Sequence, residues 1–423
     1  MQSNSKKIPF RDNAGVRVAR IIVAISTTFF AGNALAAVSA TPAVGIINNP
    51  ATTAAVQILP PTTAMYPGES MLVAAGYPSL VKFSKGDAIK PLVIFIPGNN
   101  SLGRISYGYP GGNPKDFLAY WLNQAGYSFL SISYPMDNPV YPNPKNYAQL
   151  SVADYAKQVA AITQYYVNTY HLANKIIVLM WSGGGRAAVN INQEMKKSNL
   201  NLDFGVSLAA TPPLGGVSGI NHPSIAKKFP MDADGYLDDV FYKNLLQQIS
   251  VENKLNGKII IPENIYHSQF VGNSPVQFYN PFIKYDGKQL VVDESGMKAN
   301  QYYQNYAEYP IVTSIVGNNQ IDSLHSILGV SAWNFINQQS LYLRNLNLQY
   351  TNLSANQWQN LQATMSSIPS EFTRFVTGSH FFFIGEKGAK ATVKALQSEQ
   401  HSVDKVNSEL ANPAYKVSNP WPI

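Results

Sequence analysis

The chain has 423 residues and no cysteine, so it is long enough to bury a full hydrophobic core and has neither disulfide staples nor thiolate chemistry. Charged residues make up only 13%, about half the usual share of ~25%, and the polar surface must come from Asn, Gln, Ser and Tyr instead. The formal net charge of +7 would suit an anionic partner, but beyond the N-terminus Lys and Arg form no cluster, which argues against nucleic-acid binding.

The first residues read as a secretory signal. Lys6, Lys7, Arg11, Arg17 and Arg20 form a basic region, Ile21 to Phe30 is an almost uncharged apolar run, and Ala34-Leu35-Ala36 offers a small-x-small cleavage pattern. The run is short and broken by Ser26, Thr27, Thr28 and Gly32, which favours removal of residues 1–37 over a retained membrane anchor. The mature protein is then expected to begin near Val38, in the periplasm or outside the cell, with no stable membrane span. Residues 38–68, rich in Ala, Thr and Pro and without periodicity, read as a linker or irregular arm.

The folded body is expected from about Ser70, where MLVAAGYPSLVKFSKGD alternates like a strand and ends in a Lys-Gly-Asp turn. Lys90–Ile96 is a fully apolar central strand halted by Pro97-Gly98-Asn99-Asn100. A helix over Pro114–Gln124, Gly126 and a strand over Tyr127–Tyr134 complete a βαβ unit, which implies a parallel sheet. An amphipathic helix spans Tyr147 to Tyr170, with Leu150, Tyr155, Val159, Ile162 and Tyr166 on or near one face.

Next comes KIIVLMWSGGGRAAVN, Lys175 to Asn190: a short apolar strand, a lone Ser, three glycines and a good helix start. A strand that stops at a Ser and turns through small residues into a helix has the geometry of a nucleophile elbow, with the hydroxyl pushed out above the sheet edge. Ser182 is the candidate nucleophile. The alternative is a plain Ser-Gly turn between a core strand and a helix. A further buried strand follows at Phe204–Ala210.

With these elements in order, the chain resembles the α/β-hydrolase family. The resemblance rests on IFIPGNNS, LMWSGGGRAA, IVTSIVGNNQID and TGSHFFFIGEKGAKATVKAL, each at a strand end and in the chain order Ser, acid, His. It implies an α/β fold, a mostly parallel central sheet with helices on both faces, built from residues 69–214 and 310–423 and interrupted by a cap or lid at 215–309. Two positions depart from the pattern: Met180 stands where G-x-S-x-G has its first Gly, and Pro97 where many relatives have His.

The resemblance places the general base at His380, after a strand over Glu371–Gly378. A Ser hydroxyl needs a base of pKa near 7 before it becomes a useful nucleophile. His171, His222, His267, His325 and His401 lack that context and read as structural or surface residues. Asp322, past the strand Pro310–Gly317, is the expected acid, holding His380 in one tautomer and stabilising the imidazolium. It would serve equally well as an N-cap for the helix beginning SLHSIL, and Glu371 and Asp137 are the alternative acids. The main-chain N–H groups of Asn99 and Gly183 are expected to form the oxyanion hole, and Trp181 and Asn100 to touch substrate.

About a hundred residues separate the Phe204 strand from the strand before Asp322, far more than a simple connection. This block holds a helix pattern at Asp238–Leu255, a hairpin signal at Tyr285-Asp286-Gly287-Lys288 and many aromatics, which suit either an acyl pocket or a small core of their own. Its roots lie at the sheet edge that exposes Ser182, so it is expected to cap the site and to set the substrate range. The sequence shows no His-x-x-x-His and no acidic cluster with ligand spacing, so no metal or cofactor is expected. The expected activity is that of an exported serine esterase or lipase acting on a small-molecule or lipid-like ester. A peptidase or thioesterase on the same triad and an inactive binding protein that kept the fold are the alternatives.

Overall fold

The computed structural model describes residues 56–214, 230–239, 241–294, 305–346 and 352–415. The chain divides into two units, Met1–Asn49 and Pro50–Ile423, and everything described belongs to the second. The expected signal, the first part of the arm, His222, and Tyr302 and Tyr303 of the insertion lie outside the described residues.

The strands are β1 (Gln57–Leu59), β2 (Glu69–Ala74), β3 (Tyr77–Ser84), β4 (Leu92–Ile96), β5 (Ser128–Ser133), β6 (Ile176–Trp181), β7 (Leu202–Leu208), β8 (Ile283–Tyr285), β9 (Leu290–Val292), β10 (Val312–Gly317) and β11 (Thr373–Val376). Nine of them form one sheet in the order β1-β2-β3-β5-β4-β6-β7-β10-β11, parallel from β5 to β11 and antiparallel from β1 through the β3–β5 pair. This is the α/β-hydrolase architecture. The central strands are apolar throughout because both faces are covered: Leu92, Ile94 and Ile96 of β4 enter one core, while Val93 and Phe95 enter the other.

Among the described residues the helices are α1 (Leu118–Gln124), α2 (Val152–Tyr170), α3 (Ala188–Lys197), α4 (Tyr242–Asn256), α5 (Glu263–Gln269), α6 (Val330–Asn345), α7 (Ala355–Glu371) and α8 (Glu386–Leu410). Among the described residues no helix is long and apolar enough to cross a membrane.

Several elements differ from the sequence reading for identifiable reasons. Part of the expected irregular arm is β1, an edge strand that pairs with β2 through Gln57 and Val73. The single strand expected after Ser70 is a hairpin, because Ala75 and Gly76 both take positive φ (52° and 84°) and turn the chain in two residues. Helix α2 starts at Val152, where the Ser151 hydroxyl accepts a hydrogen bond from the Asp154 N–H. Helix α7 was not expected; a capping box of Ser354 and Gln357 starts it, and it runs to Glu371, so β11 is shorter than the strand expected there.

The insertion does not fold as a body apart. Tyr266, Phe270 and Val271 join one of the two main cores and Phe278 joins the other, leaving Leu237, Val276, Tyr279, Ile283 and Leu290 as a small cluster of their own. Backbone bonds tie it to the sheet ends, from Leu102 N–H to Phe270 O at 2.8 Å and from Asp137 N–H to Asn273 O at 3.0 Å. The expected hairpin is there as the β8–β9 pair.

Candidate active site

Strand β6 ends at Trp181, and Ser182 turns with φ of 51°, a left-handed conformation that strains any residue with a side chain. The strain is held from both sides. The Ser182 carbonyl accepts from the Thr211 N–H at 2.8 Å, and a short 3₁₀ helix, Ser182–Ala187, leads straight into α3. At Gly184 an added Cβ would stand 2.8 Å from the Pro97 carbonyl, so this position of the elbow has no room for a side chain. Met180, in place of the usual first Gly, is accommodated by the neighbouring strand: its Cε lies 2.9 Å from where a Cβ on Gly205 would be.

His380 follows β11 and is buried, with 3% of its surface exposed. Three groups fix it. Its N–H donates to Gln248 Oε1 at 2.9 Å, and its carbonyl accepts from Trp181 Nε1 at 3.1 Å. Its ring Nδ1 lies 3.0 Å from Asp322 Oδ2, which leaves Nε2 as the nitrogen available to a nucleophile. The preceding Ser379 is gripped by Glu252, whose Oε1 accepts from both its N–H (2.6 Å) and its hydroxyl (2.8 Å). Gln248 and Glu252 both belong to α4, so a helix of the insertion holds the His380 loop.

Asp322 does not cap a helix. Asn319 takes that task for the turn Gln320–Asp322, its side chain accepting from the Ile321 N–H. The Asp322 carboxylate points instead at two imidazoles: Oδ2 meets His380, and Oδ1 lies 2.6 Å from Nδ1 of His325. Burial would raise this carboxyl, but the charge and hydrogen bonds of His380 and His325 outweigh it and hold the group well below the ordinary carboxylate range. Of the alternative acids, Glu371 pairs with Lys405 at 2.5 Å, and Asp137 faces Asn273 in a different groove.

His325, read from the sequence as structural or surface, lies at the cavity beside Asp322 and His380. Its Nε2 lies 3.2 Å from Thr211 Oγ1, and its ring stacks on that of His380 with centroids 4.6 Å apart and planes inclined by 30°. Burial lowers its pKa despite the Asp322 charge beside it. The signal was the spacing in Asp322-x-x-His325, which brings two side chains to one face of a helical turn. Asp322, His325 and His380 also have the residue types of a metal site. Near-parallel rings do not aim their nitrogen lone pairs at one point, whereas an ion held at about 2.0–2.1 Å must lie in both ring planes. The arrangement is one for hydrogen bonds.

Ser182, His380, Asp322 and His325 line one cavity of about 300 Å³, with Asn99 and Gly183 beside the nucleophile and Phe241, Leu245, Gln248 and Tyr279 contributed by the insertion. A larger groove of about 530 Å³, around Asn360, Thr364 and Glu409, is formed by α7 and α8 and the residues that follow, and shares no lining residue with this cavity. Gly183 sits in the first turn of its helix, where amides have no acceptor within the helix. Despite Pro97, the facing loop is firmly set: the Tyr134 hydroxyl donates to Gly98 O at 2.7 Å, and the Asn100 N–H to Ser274 Oγ at 2.6 Å. Arg186 reaches Asn99 Oδ1 at 3.4 Å and donates to the Phe278 carbonyl.

Two expected substrate contacts have other tasks. Trp181 is buried under His380, Phe381 and Phe383 and is not among the residues lining the cavity. Asn100 borders the cavity, but its side chain is committed to the insertion, donating to Gly272 O at 3.0 Å and accepting from the Tyr279 hydroxyl.

No family model matches the chain, and no curated protein matches it. Among solved structures the chain is similar to a soluble variant of monoglyceride lipase from Saccharomyces cerevisiae in complex with a substrate analogue, at 12% identity and a TM-score of 0.47 over 81% of this chain and 95% of that one. It is also similar to a thermophilic esterase from Thermogutta terrifontis, at 12% identity and a TM-score of 0.42 over 83% and 99% of the two chains. A lipase in its open form aligns at 13% identity and a TM-score of 0.44 over 85% and 100%. Likeness this distant says nothing of chemistry, which has to come from the site itself.

Proposed function

We propose that this chain of α/β-hydrolase fold is an exported serine hydrolase that cleaves carboxylic esters by acyl transfer through Ser182, His380 and Asp322. The observation that carries this reading is a strained Ser at the end of a central strand, in one cavity with a buried His whose Nδ1 is bonded to a buried carboxylate.

In the proposed reaction, Ser182 Oγ attacks the ester carbonyl while His380 Nε2 takes its proton. Asp322 keeps Nδ1 protonated and stabilises the imidazolium that forms. The carbonyl oxygen, now anionic, is met by the main-chain N–H groups of Asn99 and Gly183, each contact worth about 3 kcal/mol. His380 returns the proton to the alkoxide as the C–O bond breaks, leaving an acyl group on Ser182. Water, deprotonated by the same His380, then releases the acid and restores the hydroxyl.

Apolar side chains at the cavity support an ester with an apolar acyl part. Phe241, Leu245, Ile321 and Leu324 line it, and Ile327 and Leu328, three and four residues on from Leu324, are 62% and 54% exposed. The test is hydrolysis of short p-nitrophenyl esters by the purified protein and by Ser182→Ala. The proposal expects turnover that Ser182→Ala abolishes; equal turnover by the two proteins would overturn it. Export rests on residues 1–37 alone. Protein recovered outside the cytoplasm should begin near Val38, and an intact Met1 on membrane-bound protein would identify an anchor instead.

A further inference from the structure

An acid that serves one histidine needs one carboxylate oxygen. Asp322 has both oxygens engaged, each by the Nδ1 of a different imidazole. An ionised carboxylate only accepts, so His325 Nδ1 carries the proton, and in the neutral ring Nε2 is the acceptor of the Thr211 hydroxyl. Thr211 is itself part of the elbow's support, since its N–H holds the Ser182 carbonyl. A chain of contacts thus runs from the nucleophile's backbone through Thr211, His325 and Asp322 to His380.

We infer that His325 is a positioning residue for the proposed reaction, a second imidazole that holds Asp322 Oδ1 so that only Oδ2 faces His380. The inference rests on the reading of Ser182, His380 and Asp322 as a hydrolytic triad. Without the bond to Oδ1 the carboxylate is free to rotate, and His380 loses its alignment with Ser182.

The charged and titratable groups that face His325 are Asp322 and His380, Arg186 from the elbow helix and, from the insertion across the cavity, Asp239, whose carboxyl burial pushes up to about 6. Arg186 and Asp239 are unchanged in a comparison of His325→Phe with His325→Gln. Phe keeps the stacked ring and removes the donor; Gln keeps an N–H donor.

The experiment measures kcat and KM for the wild type and both variants, together with the downfield proton spectrum of the wild-type protein. His325→Phe should lower kcat by about 10- to 100-fold, the range of a small misalignment at a reacting centre, with KM within about twofold. His325→Gln should recover kcat to within about threefold. Equal losses in the two variants would reduce His325 to packing and overturn the inference. The spectrum needs no variant to fold: two imidazole N–H signals shifted by a carboxylate are expected, and one alone would also overturn it. A wild type that shows both signals but turns over no ester would refute the hydrolytic reading while leaving the two-imidazole pairing intact.

Discussion

Ser182, His380 and Asp322 form a unit only if each depends on the others, and that dependence is measurable. Ser182→Ala and His380→Ala should each remove nearly all turnover on a p-nitrophenyl ester, and the double variant should be no worse than either alone. Additive losses would mean that the two side chains act separately. Asp322→Asn should lower kcat by about 10³- to 10⁴-fold, because an amide beside Nδ1 no longer enforces the tautomer that leaves Nε2 free. A loss under tenfold would move the acid role elsewhere. At this scale the sequence offers local signatures, a Ser between an apolar strand and glycines and a His at a strand end, and the structure brings both to one cavity. Trp181 and Asn100 were expected to touch substrate because their neighbours in the chain lie at the site, but their partners in space, His380 and the insertion, engage them instead.

The elements carry two further expectations. Helix α4 presents Gln248 to the His380 N–H, so Gln248→Ala strands a buried donor and should cost about 1–3 kcal/mol of stability and lower kcat more than it raises KM. Cutting α4 out would remove the clamp on the His380 loop altogether. Acyl preference is therefore better tested at Phe241 and Leu245, which line the cavity without bonding that loop. Replacing both with Ala should change the ratio of kcat/KM between butyrate and acetate esters while Ser182 stays reactive. An unchanged ratio would mean that the insertion supports the site without selecting its substrate.

Helix α8 buries Glu399 with neither carboxylate oxygen hydrogen-bonded, and burial pushes it from 4.5 up to about 8. A carboxyl raised in the folded state favours folding below its unfolded pKa, and its contribution is lost as pH rises from about 4.5 through 8. Glu399→Gln should therefore raise the melting temperature above that of the wild type at pH 9 and bring no such gain at pH 5. The same difference at both pH values would rule out this account of Glu399.

Across the whole molecule, what could be read in advance was whatever the chain writes locally. Strands buried on both faces read as continuous apolar runs in β4 and β6, and their alternation with helices implied a parallel sheet. The edge strand β1 has no such run, because Gln57, Ile58 and Leu59 take their order from pairing with β2 rather than from burial. The turn at Ala75-Gly76 hides inside an alternation that continues through it. The binding of α4 to the His380 loop joins residues more than a hundred positions apart, Gln248 to His380 and Glu252 to Ser379, and no local pattern announces it. His325 lies between these cases, since its spacing from Asp322 was visible but its purpose depends on a ring contributed from β11's far end.

If Ser182 is an activated nucleophile, treatment of the intact protein with a fluorophosphonate probe, followed by peptide mass analysis, should give one adduct, on the peptide containing Ser182, absent from Ser182→Ala and strongly slowed in His380→Ala. A protein that stays unlabelled, or that carries the adduct on another residue, would show that Ser182 is not the nucleophile.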